Sequence, residues 1–286
     1  MPHQAIEIIT ESTCDIPQDL IEKHKIRVIP IPITWGKDQL LDRIDLSPEK
    51  FYERLESDPV YPSTSMLTEF KYAEIYQEAR AGGAKEILMV SLTGALSNTI
   101  DNARKAASSV DIPVHVMDSG YVSMGEGFQV LKAARMRDAG EAIEAILKVL
   151  AEVHRKMVLF AALDTVKYIL KGGRVGNAAR MIESVLDIKP LVTFNNEDGK
   201  VYPSGFARTR RKSIEQMYTK FFDSLDHKRD LHICVMHGGA KEDALELVER
   251  IKQEFNPKEI LMNYTGTVLG MHTGPRALSL IGYPEG

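Results

Sequence analysis

Hydroxyl side chains stand immediately before two predicted helices. In "PSTSMLTEF" they are Ser63, Thr64 and Ser65, and in "TGALSNTIDNA" they are Ser97 and Thr99. A hydroxyl beside the free N–H groups of a helix N-terminus can receive a carboxylate or a phosphate. Helix capping explains each stretch alone. Convergence of the two ends on one sheet edge would indicate a binding site, although neither stretch has the spacing of a phosphate loop.

A lone histidine, His272, lies in "GMHTGPRAL" near the end of the chain. A metal site is disfavoured because no second ligand stands at a suitable spacing. Serine-histidine-acid catalysis is disfavoured because the sequence has no nucleophile elbow. Two interpretations remain equal on local sequence: a packed turn residue, or a hydrogen-bond donor to a bound anion.

The stretch "ITESTCDIP" brings polar side chains to the end of the first predicted strand. Ligand-binding groups gather at such strand ends in open α/β sheets. The simpler interpretation is that Ser12 or Asp15 caps a helix over Pro17 to Lys25. Cys14 is a poor nucleophile candidate because no activating neighbour is visible.

One dense basic cluster, "FARTRRKS" at residues 206–213, contains Arg208. Solvated helix-start charges are the default interpretation, and an arginine directed at an anion is the alternative. His232 and His237 are five residues apart on a predicted strand, so they face opposite sides and cannot share a metal. The glycines of "DSGYVSMGEGF" lack the dinucleotide-binding spacing, and no cofactor is expected.

Composition excludes several classes of protein. The 286 residues are 44% hydrophobic and 27% charged, with a net charge of −4. We therefore expect no positive electrostatic field that would attract nucleic acid or an anionic membrane. Two distant cysteines indicate neither a disulfide framework nor a zinc site. The sequence shows no targeting segment and no long apolar run, which predicts a cytoplasmic protein without stable membrane insertion.

The hydrophobic pattern predicts an α/β fold in two domains. Residues 1–160 alternate strands and helices, typical of a mainly parallel sheet with helices on both faces. Residues 161–286 include a predicted hairpin around "NNEDGK", which favours an α+β domain. The predicted strands are Ala5–Thr10, Arg27–Thr34, Glu86–Ser91, Val114–Met117, Met157–Leu163, Ile188–Phe194, Lys200–Pro203, Leu231–Met236, Glu259–Tyr264 and Ala277–Tyr283. The predicted helices include Glu69–Arg80, Val122–Ala139, Glu141–His154, Val175–Leu186, Ser213–Leu225 and Lys241–Phe255.

Seven stretches, taken in order along the chain, resemble the DegV family of bacterial fatty-acid-binding proteins. They are "ESTCDIP", "YPSTS", "LSNTIDNA", "MDSGYVSMGEG", "ILKGGRV", "IKPLVTFNNEDGKVYPSGFARTR" and "GMHTGP". No single stretch is strong, but their order over nearly the whole chain is specific.

The resemblance implies a lipid-binding carrier with a fatty acid in a cleft between its domains. It assigns the ligand carboxylate to Thr64, Ser65, Ser97 and His272, and it assigns Arg208 to the presentation of that carboxylate to a partner. It further implies that the partner is a separate ATP-dependent fatty acid kinase, and that the carrier is not itself an enzyme.

Four residues in three stretches depart from the family pattern. Met66-Leu67 replace the usual glutamine and proline, Asn98 replaces a glycine, and Arg276 replaces the glycine that usually follows the proline of the His-Thr-Gly-Pro motif. We expect Asn98 and Arg276 to narrow or recharge the pocket mouth. Two alternative functions remain: a carrier of another amphipathic acid or lipid without a kinase partner, and a stand-alone acyl hydrolase or transferase using Ser97 or Cys14.

Overall fold

The computed structural model describes residues 6–174 and 188–286. Its strands are β1 (Ile6–Glu11), β2 (Arg27–Ile29), β3 (Pro32–Trp35), β4 (Asp38–Leu41), β5 (Ser63–Thr64), β6 (Glu86–Ser91), β7 (Val114–Asp118), β8 (Val158–Ala162), β9 (Lys189–Phe194), β10 (Val201–Ala207), β11 (Leu231–His237), β12 (Glu259–Tyr264) and β13 (Leu278–Pro284). Its α-helices are α1 (Gln18–Lys23), α2 (Pro48–Ser57), α3 (Glu69–Ala81), α4 (Thr99–Ala106), α5 (Met124–Asp138), α6 (Ile143–Lys156), α7 (Lys167–Gly172), α8 (Arg210–Asp223), α9 (Lys241–Phe255) and α10 (Thr267–Thr273).

The N-terminal part contains a four-stranded, fully parallel sheet in the order β2-β1-β6-β7. Apolar residues on both faces of β1 and β6 explain why helices cover both sides. One face packs against α3 and α4, and the other packs against α5 and α6. This arrangement confirms the predicted α/β class and the predicted helices on both faces.

The C-terminal part contains a six-stranded mixed sheet in the order β10-β9-β8-β13-β11-β12. Helices α8 and α9 pack on one face. Side chains of β11 and β13 on the other face join the core formed by α5 and α6. Strand β8 pairs with β9 and β13, so the proposed division after residue 160 falls inside a strand of this sheet. The division into two domains stays a prediction.

The predicted strand over Arg27–Thr34 was wrong in its extent, because the chain leaves the parallel sheet at Pro30 and enters a second sheet at Pro32. Proline has no N–H for a strand ladder, which favours such a break. β3 pairs with β4 and β5 in a small antiparallel sheet. β4 was not predicted because its residues are mostly exposed and lack an apolar alternation.

Two local predictions are confirmed, and a third falls outside the described part of the chain. The sequence Ser47-Pro48-Glu49 predicts a helix start, with a capping serine, a proline at the first helical position and an acid in the first turn. Ser47 caps α2 by accepting a hydrogen bond from the Lys50 amide. The hairpin between β9 and β10 is present, with Gly199 at a φ of +64° in its turn. The predicted helix over Val175–Leu186 lies outside the described residues.

Two other local predictions were wrong. Neither Ser12 nor Asp15 caps α1, because Ser12 Oγ accepts from the Ile31 amide while Asp15 is bonded to Ser123 and Gly266. His272 is not a turn residue: it lies at the end of helix α10, which then ends at Gly274.

Within the described ranges, no helix is long and apolar enough to cross a bilayer.

Candidate functional site

A deep cavity lies between the parallel N-terminal sheet and the six-stranded sheet. About 1270 Å³ of its space, the open mouth included, is not filled by protein atoms. Side chains of β8, β9, β10 and β13, together with the residues directly after β8 and before β13, form its apolar floor. These are Leu159, Ala161, Leu163, Val192, Phe194, Val201, Ala277 and Ile281.

Alternation along the strands explains this floor. Leu159, Ala161 and Leu163 point into the cavity, whereas Phe160 and Ala162 pack on the opposite face beneath α8 and α9. Successive side chains of a strand face opposite sides of the sheet, so one apolar run supplies both a core and a cavity wall.

The residues suggested by sequence for a carboxylate line this same cavity. Thr64, Ser65 and Ser97 approach from the N-terminal side, and His272 approaches from α10. Among the described residues, no protein group bonds to the hydroxyls of Thr64 and Ser65. Ser97 Oγ accepts from the Thr99 amide at 3.3 Å, which leaves its hydroxyl proton free. The structure therefore gathers four polar side chains from three separate stretches.

Local structure shows that neither Thr64 nor Ser65 is the cap of α3. Thr68 caps α3 by accepting from the Lys71 amide, so Thr64 and Ser65 lie further upstream. Thr64 belongs to β5 and pairs with Ile33. The stretch "PSTS" is held by the small antiparallel sheet and projects toward the cavity before the helix begins.

His272 is held neutral by its surroundings. Burial lowers the pKa of its imidazole to about 4, and the positive charge of Arg174 acts in the same direction. Its Nδ1 atom is buried without a hydrogen-bond partner in the described structure. Gly172 lies so close that a methyl group at that position would overlap Nδ1, so the glycine makes room for the ring.

Arg174 is a cavity residue that the sequence prediction missed. It lines the cavity, and its guanidinium donates to the Gly172 carbonyl at 3.0 Å. The stretch "KGGR" contained it, but a single arginine after a glycine pair gives no local indication of its direction.

Arg208 is exposed and does not line the cavity. Arg210, two residues later, instead pairs with Asp164 and Asp243. Neither Asn98 nor Arg276 lines the cavity either, so the expected narrowing of its mouth by these two side chains is not seen.

Further hydroxyls line the interior of the cavity, and two of them are bonded to buried acids. Thr13 donates to Glu126 at 2.9 Å, and Ser123 donates to Asp15 at 2.7 Å. Burial raises the pKa of Asp15 to about 7 and raises that of Glu126 well above its usual value. Sequence reasoning missed this layer because Glu126, inside a helix, reads as an ordinary solvated acid.

The alternative chemical centres gain no support. Burial raises the pKa of the Cys14 thiol, and the Glu126 carboxyl acts in the same direction, so the thiol is not activated. His232 bonds to Glu259, while His237 packs on Tyr264. Across residues 6–174 and 188–286, no group of three or more His, Cys, Asp or Glu side chains could hold a metal ion.

Fold and site together define an α/β protein with an apolar cavity whose polar groups are neutral hydroxyls, a neutral imidazole and the guanidinium of Arg174. A family model described as "Uncharacterised protein, DegV family" matches residues 5–285. The chain therefore belongs to the DegV family, which confirms the resemblance seen in the sequence.

Individual relatives agree in fold. Protein DegV of Bacillus subtilis is 28% identical over 277 residues, covering 96% of this chain and 98% of the relative. A solved structure of that fatty-acid-binding protein superposes with a TM-score of 0.90 at 27% identity, covering 98% and 99% of the two chains. A DegV family protein from Thermus thermophilus, described by its fatty acid binding, also gives 0.90 at 27% identity over 98% and 100%.

Proposed function

We propose that this protein is a carrier that buries the acyl chain of a long-chain fatty acid and holds its carboxylate at the polar end of the cavity. The observation that carries the proposal is the grouping of unpaired donors at one end of an apolar space. Two solved relatives at 27% identity, both described as fatty-acid-binding, support the same ligand class.

Affinity would come from the acyl chain and orientation from the donors. Each buried methylene contributes up to about 0.8 kcal/mol, so a long chain needs no strong ionic anchor. Thr64, Ser65 and Ser97 each offer a hydroxyl proton to the carboxylate. His272 adds an N–H from its neutral ring; a proton on Nε2 would leave only a lone pair on the buried Nδ1.

Neutral donors suit a carboxylate that is later phosphorylated. A tight guanidinium fork would withdraw charge from the nucleophilic oxygen, whereas hydroxyl groups hold it more weakly. Ser65 and Arg174 are exposed, which supports access for a second protein at this end. We therefore assign the carrier the role of presenting the carboxylate to an ATP-dependent fatty acid kinase, with Arg208 facing that partner.

A stand-alone hydrolase is the weaker candidate. His272 would need an acid to orient its ring and a bond to the attacking hydroxyl. Within the described part of the chain, neither His272 nor Ser97 makes such a bond. Ester turnover by the protein alone that vanishes in Ser97→Ala would overturn the carrier proposal.

Native mass spectrometry of the purified protein tests the ligand class. We expect a co-purifying long-chain fatty acid, and a cavity containing only water would contradict the proposal. The site assignment is tested separately by stearate titration of the double variant Ser97→Ala/His272→Ala. Charge-assisted hydrogen bonds contribute roughly 1.5–3 kcal/mol each, so we expect affinity to fall more than tenfold. Thr219→Val, at an exposed position of α8, is the control.

A further inference from the structure

The interior of the cavity contains a second group of hydroxyls, distinct from the carboxylate end. Thr13 and Ser123 reach it from the N-terminal side, Thr265 precedes α10, and Ser279 lies on β13 opposite Ala161. An acyl chain composed only of methylenes cannot form hydrogen bonds with these hydroxyls. Burying a hydroxyl without a hydrogen-bond partner is unfavourable.

Two of these hydroxyls lack any protein partner. Thr265 is 6% exposed, and among the described residues its hydroxyl makes no hydrogen bond. The hydroxyl of Ser279 is likewise unpaired within the described ranges, although Ser279 stands between apolar floor residues. Buried polar groups are nearly always satisfied, so the unpaired hydroxyl of Thr265, beside a cavity that the half-buried Ser279 also lines, indicates a partner that enters this cavity.

The other two hydroxyls are held by buried acids. Ser123 donates its proton to Asp15, and Thr13 donates to Glu126, so each keeps lone pairs that can accept. Asp15 also accepts from the Gly266 amide at 3.1 Å, which ties Ser123 to the segment next to Thr265. Ser123 adopts a φ of +53°, a strained conformation for a serine that is found mainly at functional sites.

We propose that Thr13, Ser123, Thr265 and Ser279 form a polar subsite that binds a hydroxyl group carried part-way along the chain of a hydroxy fatty acid. The inference rests on the proposed fatty-acid function. An alcohol both donates and accepts, which matches two hydroxyls with free protons and two with free lone pairs.

The position of the subsite sets the position of the ligand hydroxyl. Helix α10 runs from Thr267 to Thr273, with Thr265 before its start and His272 near its end. At about 1.5 Å per residue, the backbones of Thr265 and His272 are roughly 10 Å apart, and this separation sets the spacing expected between the hydroxyl and the carboxylate of the ligand. The matching ligand therefore carries its hydroxyl well inside the chain and not next to the carboxylate.

Competitive titration of the full-length protein with stearate, 10-hydroxystearate and 2-hydroxystearate tests the inference. We expect 10-hydroxystearate to bind at least as tightly as stearate. Without the subsite, burying its hydroxyl unpaired would weaken binding by roughly 10- to 100-fold. The 2-hydroxy isomer, which places the same group near the carboxylate, gains nothing from the subsite.

Variants identify the residues responsible. Thr265→Val and Ser279→Ala, combined, should weaken 10-hydroxystearate about tenfold or more while stearate binds unchanged or more tightly. Thr265→Ser keeps the hydroxyl, so this variant should bind 10-hydroxystearate as well as the parent protein does. Thr219→Val should change the affinity for neither 10-hydroxystearate nor stearate. Retained stearate binding shows that each variant is folded; if the double variant does not fold, Ser279→Ala alone provides the comparison.

Two outcomes separate this inference from the proposed function. If stearate binds but 10-hydroxystearate binds tenfold more weakly, or if its preference survives the variants, the subsite is wrong and the carrier stands. If neither acid binds, the proposed function itself fails.

Discussion

The two walls of the cavity are built in different ways. The C-terminal wall is a regular sheet whose alternate side chains, such as Ala161 and Val192, give a mostly apolar surface that also carries Ser279. The N-terminal wall is made of segments that follow strands, and it carries hydroxyls backed by buried carboxyls. Regular strands supply bulk affinity for an acyl chain, whereas the irregular segments supply direction. Each wall can be altered without removing the other, which makes the division of roles testable.

The largest expected effect comes from filling the apolar wall. Ala161 is buried on β8 between Ser279 and Val192, and Ala161→Phe would occupy the space of several ligand methylenes. Losing about four of them costs about 3 kcal/mol, or about 100-fold in stearate affinity by titration calorimetry. Ala81→Phe, on the exposed end of α3, is the control. Undiminished binding in a folded Ala161→Phe protein would place the acyl chain elsewhere.

The buried acids of the polar wall predict a pH dependence of stability. The pKa of Asp15 rises from 3.8 to about 7 on folding, so the folded state holds a proton that the unfolded state has released. Its contribution is fully present below pH 3.8 and is lost as the pH rises through 7. Between these values the free energy of unfolding should fall by up to about 1.4 kcal/mol per pH unit.

Urea denaturation at pH 5 and pH 7 measures this contribution. Asp15→Asn should flatten the decline, whereas Asp19→Asn, at an exposed position of α1, should leave it unchanged. His272 has the opposite sign, because its lowered pKa stabilises the fold as the pH rises from about 4 to 6.5. The difference between Asp15→Asn and the parent protein isolates the carboxyl. If the free energy of unfolding fell equally between pH 5 and pH 7 in the parent protein and in Asp15→Asn, the buried Asp15 carboxyl would not be neutral in the folded state.

A substitution outside the four donor residues should also weaken binding of the ligand carboxylate. Gly172→Ala improves helix propensity by up to about 1 kcal/mol, yet its methyl group would overlap Nδ1 of His272. We expect stearate affinity to fall about tenfold as the ring is displaced, consistent with the loss of one hydrogen bond to a charged group. Gly173→Asn, with open space around a left-handed position, should keep the parent affinity. A Gly172→Ala protein that binds normally would show that His272 is not a donor.

The sequence was informative where one residue type implies one environment. Apolar runs such as "EILMVS" predicted β6 without error, and the hydroxyl-rich stretches predicted residues that the fold brings to one cavity. Glu126 and Arg174 could not be placed, because a carboxylate within a helix and an arginine after glycines usually face solvent. The burial of Glu126 and the direction of Arg174 depend on contacts between distant segments, as between Thr13 and Glu126, which local patterns do not encode.

The smallest effect on ligand binding is expected outside both walls. Arg208 is exposed and does not line the cavity, so Arg208→Glu should keep stearate affinity within about twofold, the scale of an exposed charge change.

If Arg208 contacts a kinase, reversing its charge should reduce phosphorylation of the bound acid by a separately purified kinase subunit while occupancy of the cavity by the acid stays full. Arg211→Glu, at an exposed position of α8, controls for net charge. Loss of stearate binding in Arg208→Glu would place this arginine at the ligand and erase the distinction between the cavity walls and the outer surface. Equal phosphorylation of both variants would remove Arg208 from the partner contact while leaving the carrier role intact.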